Sequence, residues 1–238
     1  MKVRLVRGVV TPVSLVLIAV LASAQDPSPS ALPHKTIAAS YGKLPLSIEP
    51  NQGQTDARVQ FVSRGDGYTI FLSPTSATFA LRRNVNGATS TESAVVRMDL
   101  LGANAKTAMQ AQNRLPGVTN YLMGGTLRKW PTNLPTYAKA RAQDVYPGVD
   151  LVYYGTQGQL EYDFVVAPGA DLSRIRMTFA GATPVVDASG GLILPLASKE
   201  GPSDIRFRQP VLYQVVDGVR QPVSGRLAVA AGNHEVTF

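Results

Sequence analysis

The chain has 238 residues, a formal charge of +7 and no cysteine. That length allows one large or two small domains, and the missing cysteine excludes both disulfides and a lipid-modified cysteine anchor. The cations occur singly or in pairs, such as Arg82-Arg83 and Arg128-Lys129, whereas a nucleic-acid binder concentrates them on one face. Nucleic acid is therefore not an expected partner.

The first 24 residues read as an export signal. Lys2, Arg4 and Arg7 make a basic start, and Val9 to Leu21 is an apolar run broken only by Thr11, Pro12 and Ser14. Ala22-Ser23-Ala24 then supplies a small-residue cleavage site, completing the tripartite pattern of a secretory signal. The run falls short of the about 20 residues that span a bilayer. No later stretch is apolar enough to do so, and no membrane span is expected in the rest of the chain. The expected location is outside the cytoplasm: extracellular, at the cell surface, or in the periplasm. Removing three cations with the signal leaves 214 residues and a charge of +4. At that size about 70% of the unfolded surface can be buried, so a fold without disulfides is physically reasonable.

Residues 25–43 are rich in Pro, Ser and Ala and read as a flexible leader. The folded domain is expected over 44–238, beginning with the irregular stretch LPLSIEPNQGQ. Val59 and Phe61 alternate with polar neighbours, Asp66-Gly67 signals a two-residue hairpin turn, and Tyr68 to Leu72 returns. In that register Phe61 faces Leu72 and Ser63 faces Ile70. Ala77 to Leu81 makes a third strand of the meander. The polar stretch from Asn84 to Ser93 is the expected boundary between two lobes, near 84–93. Val95 to Leu101 is a strand with Val96, Met98 and Leu100 on one face. Lys106 to Gln112 suits a helical turn or an edge strand, since periodicity does not decide so short a segment. Pro116 to Tyr137 is broken by Pro and Gly, and is expected to form loops and short strands pinned by Tyr121, Trp130 and Tyr137.

The segment YPGVDLVYYGTQGQLEYDFVV, from Tyr146 to Val166, reads as a β-hairpin. Further strands are expected at Arg174–Phe179, Leu192–Leu196, Ile205–Phe207, Val211–Val216 and Val219–Val229, with turns at Asp217-Gly218 and Ala231-Gly232-Asn233. No amphipathic helix follows the signal, and no repeat of 20–50 residues is present. Short, closely spaced strands with turn residues between them predict an all-β fold, an antiparallel β-sandwich or open barrel, with two packed β lobes as a variant.

His34 and His234 are the only histidines, and neither lies in a zinc-binding arrangement. No nucleophile elbow, phosphate-binding loop or dinucleotide fingerprint occurs. No cofactor is expected, and any chemistry rests on carboxylates. In the hairpin, a loop centred on Thr156-Gln157 sets Tyr153 against Leu160, Leu151 against Tyr162 and Val149 against Phe164, all on one apolar face. The other face then opposes Tyr154 to Gln159, Val152 to Glu161 and Asp150 to Asp163. Like charges directly opposite cost stability unless something compensates.

Three arrangements answer this. A charge ladder sets Arg174 against Asp163 and Arg176 against Glu161, if the Arg174–Phe179 strand lies beside the hairpin; Asp150 is left without a cation. A Ca²⁺ site would use Asp150, Glu161 and Asp163, since hard cations take carboxylate oxygens. A glycosidase would use Asp150, Asp163 and Glu161 as acid, base or nucleophile, because directly opposed carboxylates stand about 5 Å apart, in the range of retaining enzymes. The ladder is the preferred reading, because structural ion-pair networks are a frequent cause of clustered charge and glycosidases set their pair across a cleft. Leu151, Tyr153, Tyr162 and Phe164 are expected in the core. Tyr154 and Trp130 are the candidates for an exposed binding platform.

The ordered series EPNQGQ (49–54), NYLMGG (120–125), KWPTNLPTYAKAR (129–141), VYPGVDLVYYG (145–155), QLEYDFVVAPGAD (159–171) and QPVLYQVVDG (209–218) resembles one bacterial family. It is similar to the N-terminal domain of unknown function of secreted proteins that carry SBBP-type β-propeller repeats. The resemblance covers Leu44 to Phe238 and implies an all-β domain preceding propeller or adhesin-like modules. It carries over no catalytic residue. No propeller repeat follows here, and ending on Phe238 in a strand pattern suits a stand-alone form or a truncated gene. The function expected is that of an exported, non-catalytic module in surface architecture, adhesion or glycan binding, with cell-surface or extracellular partners. The alternative is a carbohydrate-active enzyme.

Overall fold

A computed structural model describes residues 2–12, 46–65, 67–85, 90–121, 131–156, 159–197, 203–232 and 234–238. These residues form strands throughout, with one 3-10 turn at Leu172–Arg174. The leader expected at 25–43 and the ring of Trp130 lie outside the described residues.

The pairings are antiparallel and build two layers that do not close into a barrel. In the first meander, β2 (Ile48–Pro50) pairs with β3 (Phe61–Gly65), which leads through β4 (Tyr68–Ser73) and β5 (Ser76–Val85) to β6 (Ser90–Leu100). Phe61 opposes Leu72 and Ser63 opposes Ile70, as the turn at Asp66-Gly67 requires. In the second, β7 (Met109–Thr119) lies beside β8 (Leu134–Tyr146), followed by β9 (Val149–Thr156) and β10 (Gln159–Val166). Of the segment left open between helical turn and edge strand, Met109 to Gln112 belong to β7, while Lys106 to Ala108 precede it as turn and loop. Ile48 opposite Tyr137 joins the two meanders at a corner.

The chain then crosses between layers. β11 (Met177–Ala180) pairs with β6 and with β18 (Val236–Thr237), which also pairs with β17 (Ala228–Val229). β12 (Val185–Val186), β13 (Leu192–Leu196) and β14 (Ser203–Phe207) form a second run, and β15 (Leu212–Val216) turns into β16 (Val219–Pro222). Asp217 and Gly218 have φ of 50° and 80°, the left-handed pair that a two-residue hairpin turn needs. The predicted Val219–Val229 strand is therefore split between β16 and β17.

Residues Lys2–Pro12, the basic and early apolar part of the expected signal, form β1. Its backbone pairs with β10 on one side and with β14 and β15 on the other.

The core lies between the layers. Period-2 alternation sends Phe79, Met98, Tyr153, Phe164 and Phe207 inward, and each is almost wholly buried. Phe207 receives Phe79 edge-on at 6.2 Å, Tyr162 at 6.1 Å and Phe179 at 5.7 Å, so it is packed by rings from both layers. Edge-to-face contacts of this kind add to area burial.

Across the polar stretch 84–93, where a boundary between two lobes is expected, β5 and β6 stay paired out to Val85 opposite Ser90; residues 86–89 lie outside the described residues.

Candidate functional site

The central hairpin keeps its expected faces and changes its register. Val149, Leu151, Tyr153, Leu160, Tyr162 and Phe164 are all buried in the core. Thr156 opposes Gln159, however, which leaves positions 157 and 158 as the connection and slides one strand by two residues. A slide of two preserves every face.

The slide removes the expected opposition of like charges. Asp150 lies across from Val165, Asp163 across from Val152, and Glu161 across from Tyr154. None of the three carboxylates therefore stands directly opposite another across β9 and β10, which is the placement the glycosidase reading expected for Asp150 and Asp163.

Asp150 has a cation after all. Arg141, on β8, donates to Asp150 Oδ2 through both Nε and Nη2, and the Asp144 backbone N–H donates to Oδ1 at 2.8 Å. Counting back from the Pro147-Gly148 turn would pair Arg141 with Tyr154. An irregularity between Ala142 and Tyr146 shifts the pairing so that Arg141 meets Val152 instead. Asp144 has φ of 48° within that stretch. The bulge thus re-aims Arg141 toward the carboxylate, a recognised effect of such insertions.

The charge ladder does not form with the predicted arginines. The 174–179 segment leaves the hairpin: residues 172–174 make the 3-10 turn, and β11 joins β6 in the other layer. Arg174 approaches Asp171 at 3.6 Å and Arg176 approaches Glu235 at 3.5 Å. The strand beside β10 is β1, which was expected to be removed.

Tyr154 is half-buried rather than an open platform. Its hydroxyl donates to Asp163 Oδ1 at 3.0 Å, and Lys139 Nζ sits 5.6 Å from its ring centroid. Burial above all, then the nearby Asp163 and Glu161 carboxylates, push its pKa well above the ordinary tyrosine value. Tyr154 therefore stays a neutral donor at any physiological pH. Cations from β8, an aromatic donor on β9 and acids on β10 cross the outer face in sequence. Glu161 and Asp163 are 2% and 7% exposed. Among the described residues no three of His, Cys, Asp and Glu gather as metal ligands; Asp150, offered with Glu161 and Asp163 for Ca²⁺, has its oxygens on Arg141 and a backbone N–H.

A second polar cluster, not anticipated from the sequence, joins two of the quoted motifs. Glu49 of EPNQGQ accepts a hydrogen bond from Tyr121 of NYLMGG, and Arg64 donates to the Tyr121 hydroxyl at 2.9 Å while lying 3.4 Å from Glu49. Glu49 is buried and the Arg64 guanidinium lies over the Tyr121 ring. The sequence signal was the motif itself, but 72 residues separate the partners. Beside it, Asn51 holds the 51–59 loop: its amide donates to the Asp56 and Val59 carbonyls at 2.8 Å each, and its oxygen accepts from Gly53 N–H at 3.1 Å. Open grooves of about 310 and 420 Å³ flank this loop, one over Phe71, Ser76 and Arg97 and the other over Gly53, Gln60 and Met109.

The family model described as Domain of unknown function (DUF7948) matches residues 48–238. The chain belongs to this family. No curated protein and no solved structure matches it. Within this DUF7948 domain the match begins at the first residue of β2 and includes every strand except β1. No helix among the described residues is long and apolar enough to cross a membrane.

Proposed function

We propose that this DUF7948 domain is a non-catalytic module of an exported bacterial protein, with an architectural or adhesive role at the cell surface or in the extracellular space. We place it with the N-terminal domains that precede SBBP-type propeller repeats, on the strength of the six ordered motifs. One observation carries the non-catalytic reading: the three hairpin carboxylates are built into the sheet, and none stands directly opposite another across β9 and β10. Asp150 is held by Arg141 and Asp163 by Tyr154, and Glu161 opposes a tyrosine rather than an acid. Glycoside hydrolysis needs two carboxyl groups flanking a bond in an accessible cleft. The basic start, apolar run and Ala-Ser-Ala support export.

The test is activity against a broad glycan panel using the exported chain. The expected outcome is no sugar release from wild type, with Asp150→Asn altering stability alone. Release that is abolished by Asp150→Asn would establish the carbohydrate-active alternative. Binding on a glycan array without turnover would assign the adhesive role.

A further inference from the structure

β1 occupies an inner position of its sheet. Val3, Arg4 and Leu5 pair with Val166, Val165 and Phe164 of β10, and beyond an irregularity at residues 6–7 Gly8, Val9 and Val10 pair with Tyr162, Glu161 and Leu160. Its other edge pairs with Val215 to Leu212 of β15 and, further on, with Phe207 to Ile205 of β14. Among the described residues β10 otherwise pairs only with β9, β15 only with β16, and β14 only with β13.

Cleavage after Ala24 would remove this strand entirely. Two sheet edges would then face each other across the width of one strand, about 10 Å from β10 to β15. Their floor is core: Leu160, Tyr162, Phe164, Phe207 and Leu212 are buried. Two such edges present unpaired N–H and C=O groups, which proteins cover or pair. Adding an extended segment satisfies both rows of groups, with alternate side chains giving specificity.

We propose that in the exported protein this slot receives a β-strand from a partner polypeptide, and that residues 2–12 hold the place beforehand. The inference rests on the export reading above. The receptor specifies the chemistry of the occupant. Opposite Leu160, Phe164 and Val166 the incoming strand is apolar. Across from Asp163 it carries a cation, because Asp163 is a buried carboxylate on the slot's own wall, whereas Glu161 is met by an apolar residue, Val9, in β1. β1 meets this requirement at one position, since the register places the Val6-Arg7 irregularity across from Asp163. An apolar strand with a cation at that position is thus the partner that fits.

The experiment uses the exported chain purified from a secreting host, with a synthetic peptide of residues 2–12 as the probe. Intact mass comes first. A chain that retains residues 1–24 overturns the export reading itself. With the signal gone, the expected result is saturable one-to-one binding of the peptide, slowed amide exchange in β10 and β15, and no binding of a scrambled peptide. The Arg7→Glu peptide is expected to bind at least about tenfold more weakly, because it sets like charges together. Absence of binding, with β10 and β15 amides already protected in a monomer, overturns the proposal: the edges have closed on each other or on the leader. A dimer with the same protection overturns it in favour of a second copy.

Discussion

Tyr153→Phe is expected to stabilise the domain or leave it unchanged, although Tyr153 is among the largest fully buried side chains. Its ring packs at 6.4 Å from Tyr162, and its hydroxyl has no hydrogen-bond partner among the described residues. Burial first, then Tyr162, pushes its pKa far above the ordinary value. A buried hydroxyl that has given up water for nothing costs about 1–3 kcal/mol, whereas phenylalanine keeps the ring contacts. The gain is therefore about 1–2 kcal/mol, or about 2–8 °C in Tm for a domain of this size. Tyr146→Phe is the control. That ring is also buried, but its hydroxyl donates to the Leu101 carbonyl at 3.0 Å, and losing the donor leaves that carbonyl short, costing about 1 kcal/mol. The same atom is removed twice with opposite signs. The raised pKa adds a pH test. Wild-type stability from a buried neutral tyrosine is present below about pH 10 and is lost as pH rises further, because only the unfolded chain ionises easily. The Tyr153→Phe variant should lose less there. Urea denaturation of both variants at pH 7 and pH 10.5 measures this. A loss above about 1 kcal/mol for Tyr153→Phe at pH 7 would refute the reasoning, by showing that the hydroxyl has a partner worth more than its desolvation.

Three further outcomes are expected. In a double-mutant cycle of Arg141→Met and Asp150→Asn, chemical denaturation should give a coupling of about 1–3 kcal/mol, within the range for contacting residues; additivity within about 0.3 kcal/mol would show that the pair does not act as one. The Asp187 carboxylate accepts from Ser189 N–H, the Ser189 hydroxyl and Gly191 N–H, and these bonds, the Ser189 hydroxyl's first, lower its pKa. Its contribution is present above the unfolded pKa near 3.9 and is lost as pH falls below it, so Tm of Asp187→Ala should depend less steeply on pH between 5 and 2; parallel curves would contradict the assignment. Gly155→Ala would set its Cβ 2.2 Å from Leu46 Cβ and 2.6 Å from the Leu46 carbonyl oxygen, and the backbone shift needed should cost about 1–3 kcal/mol in thermal denaturation. An unchanged Tm would mean that the segment before β2 does not rest on β9.

Local pattern determined much of this protein. Alternation assigned Phe61, Leu72, Val96 and Met98 to one side of their strands, and all four are buried as read. Turn chemistry at Asp66-Gly67 and Asp217-Gly218 fixed two hairpins to the residue, because a two-residue loop leaves no freedom in pairing. Where a strand slides by two, the pattern is blind: every side chain keeps its face, so the apolar side of the 149–166 hairpin was legible while the opposition of Asp150 and Asp163 was not. Arg141 was hidden for a related reason, since the irregularity before Tyr146 offsets any count from the Pro147-Gly148 turn.

Only the tertiary structure decided which strands become neighbours. Arg174-Ile-Arg176 has the alternation of a partner for β10, yet its strand continues in the other layer against β6, and Arg176 ends beside Glu235, 59 residues away. Glu49, Arg64 and Tyr121 meet across comparable separations. The physical reason is the same in both cases. Periodicity and turn residues act over a few positions and specify faces and hairpins, whereas non-local pairing is chosen by how two apolar faces bury one another. Hence the sequence alone determined most of the strands and their inward residues. The fold determined that residues 2–12 lie between β10 and β15, on the edge of β10 that carries two buried acids.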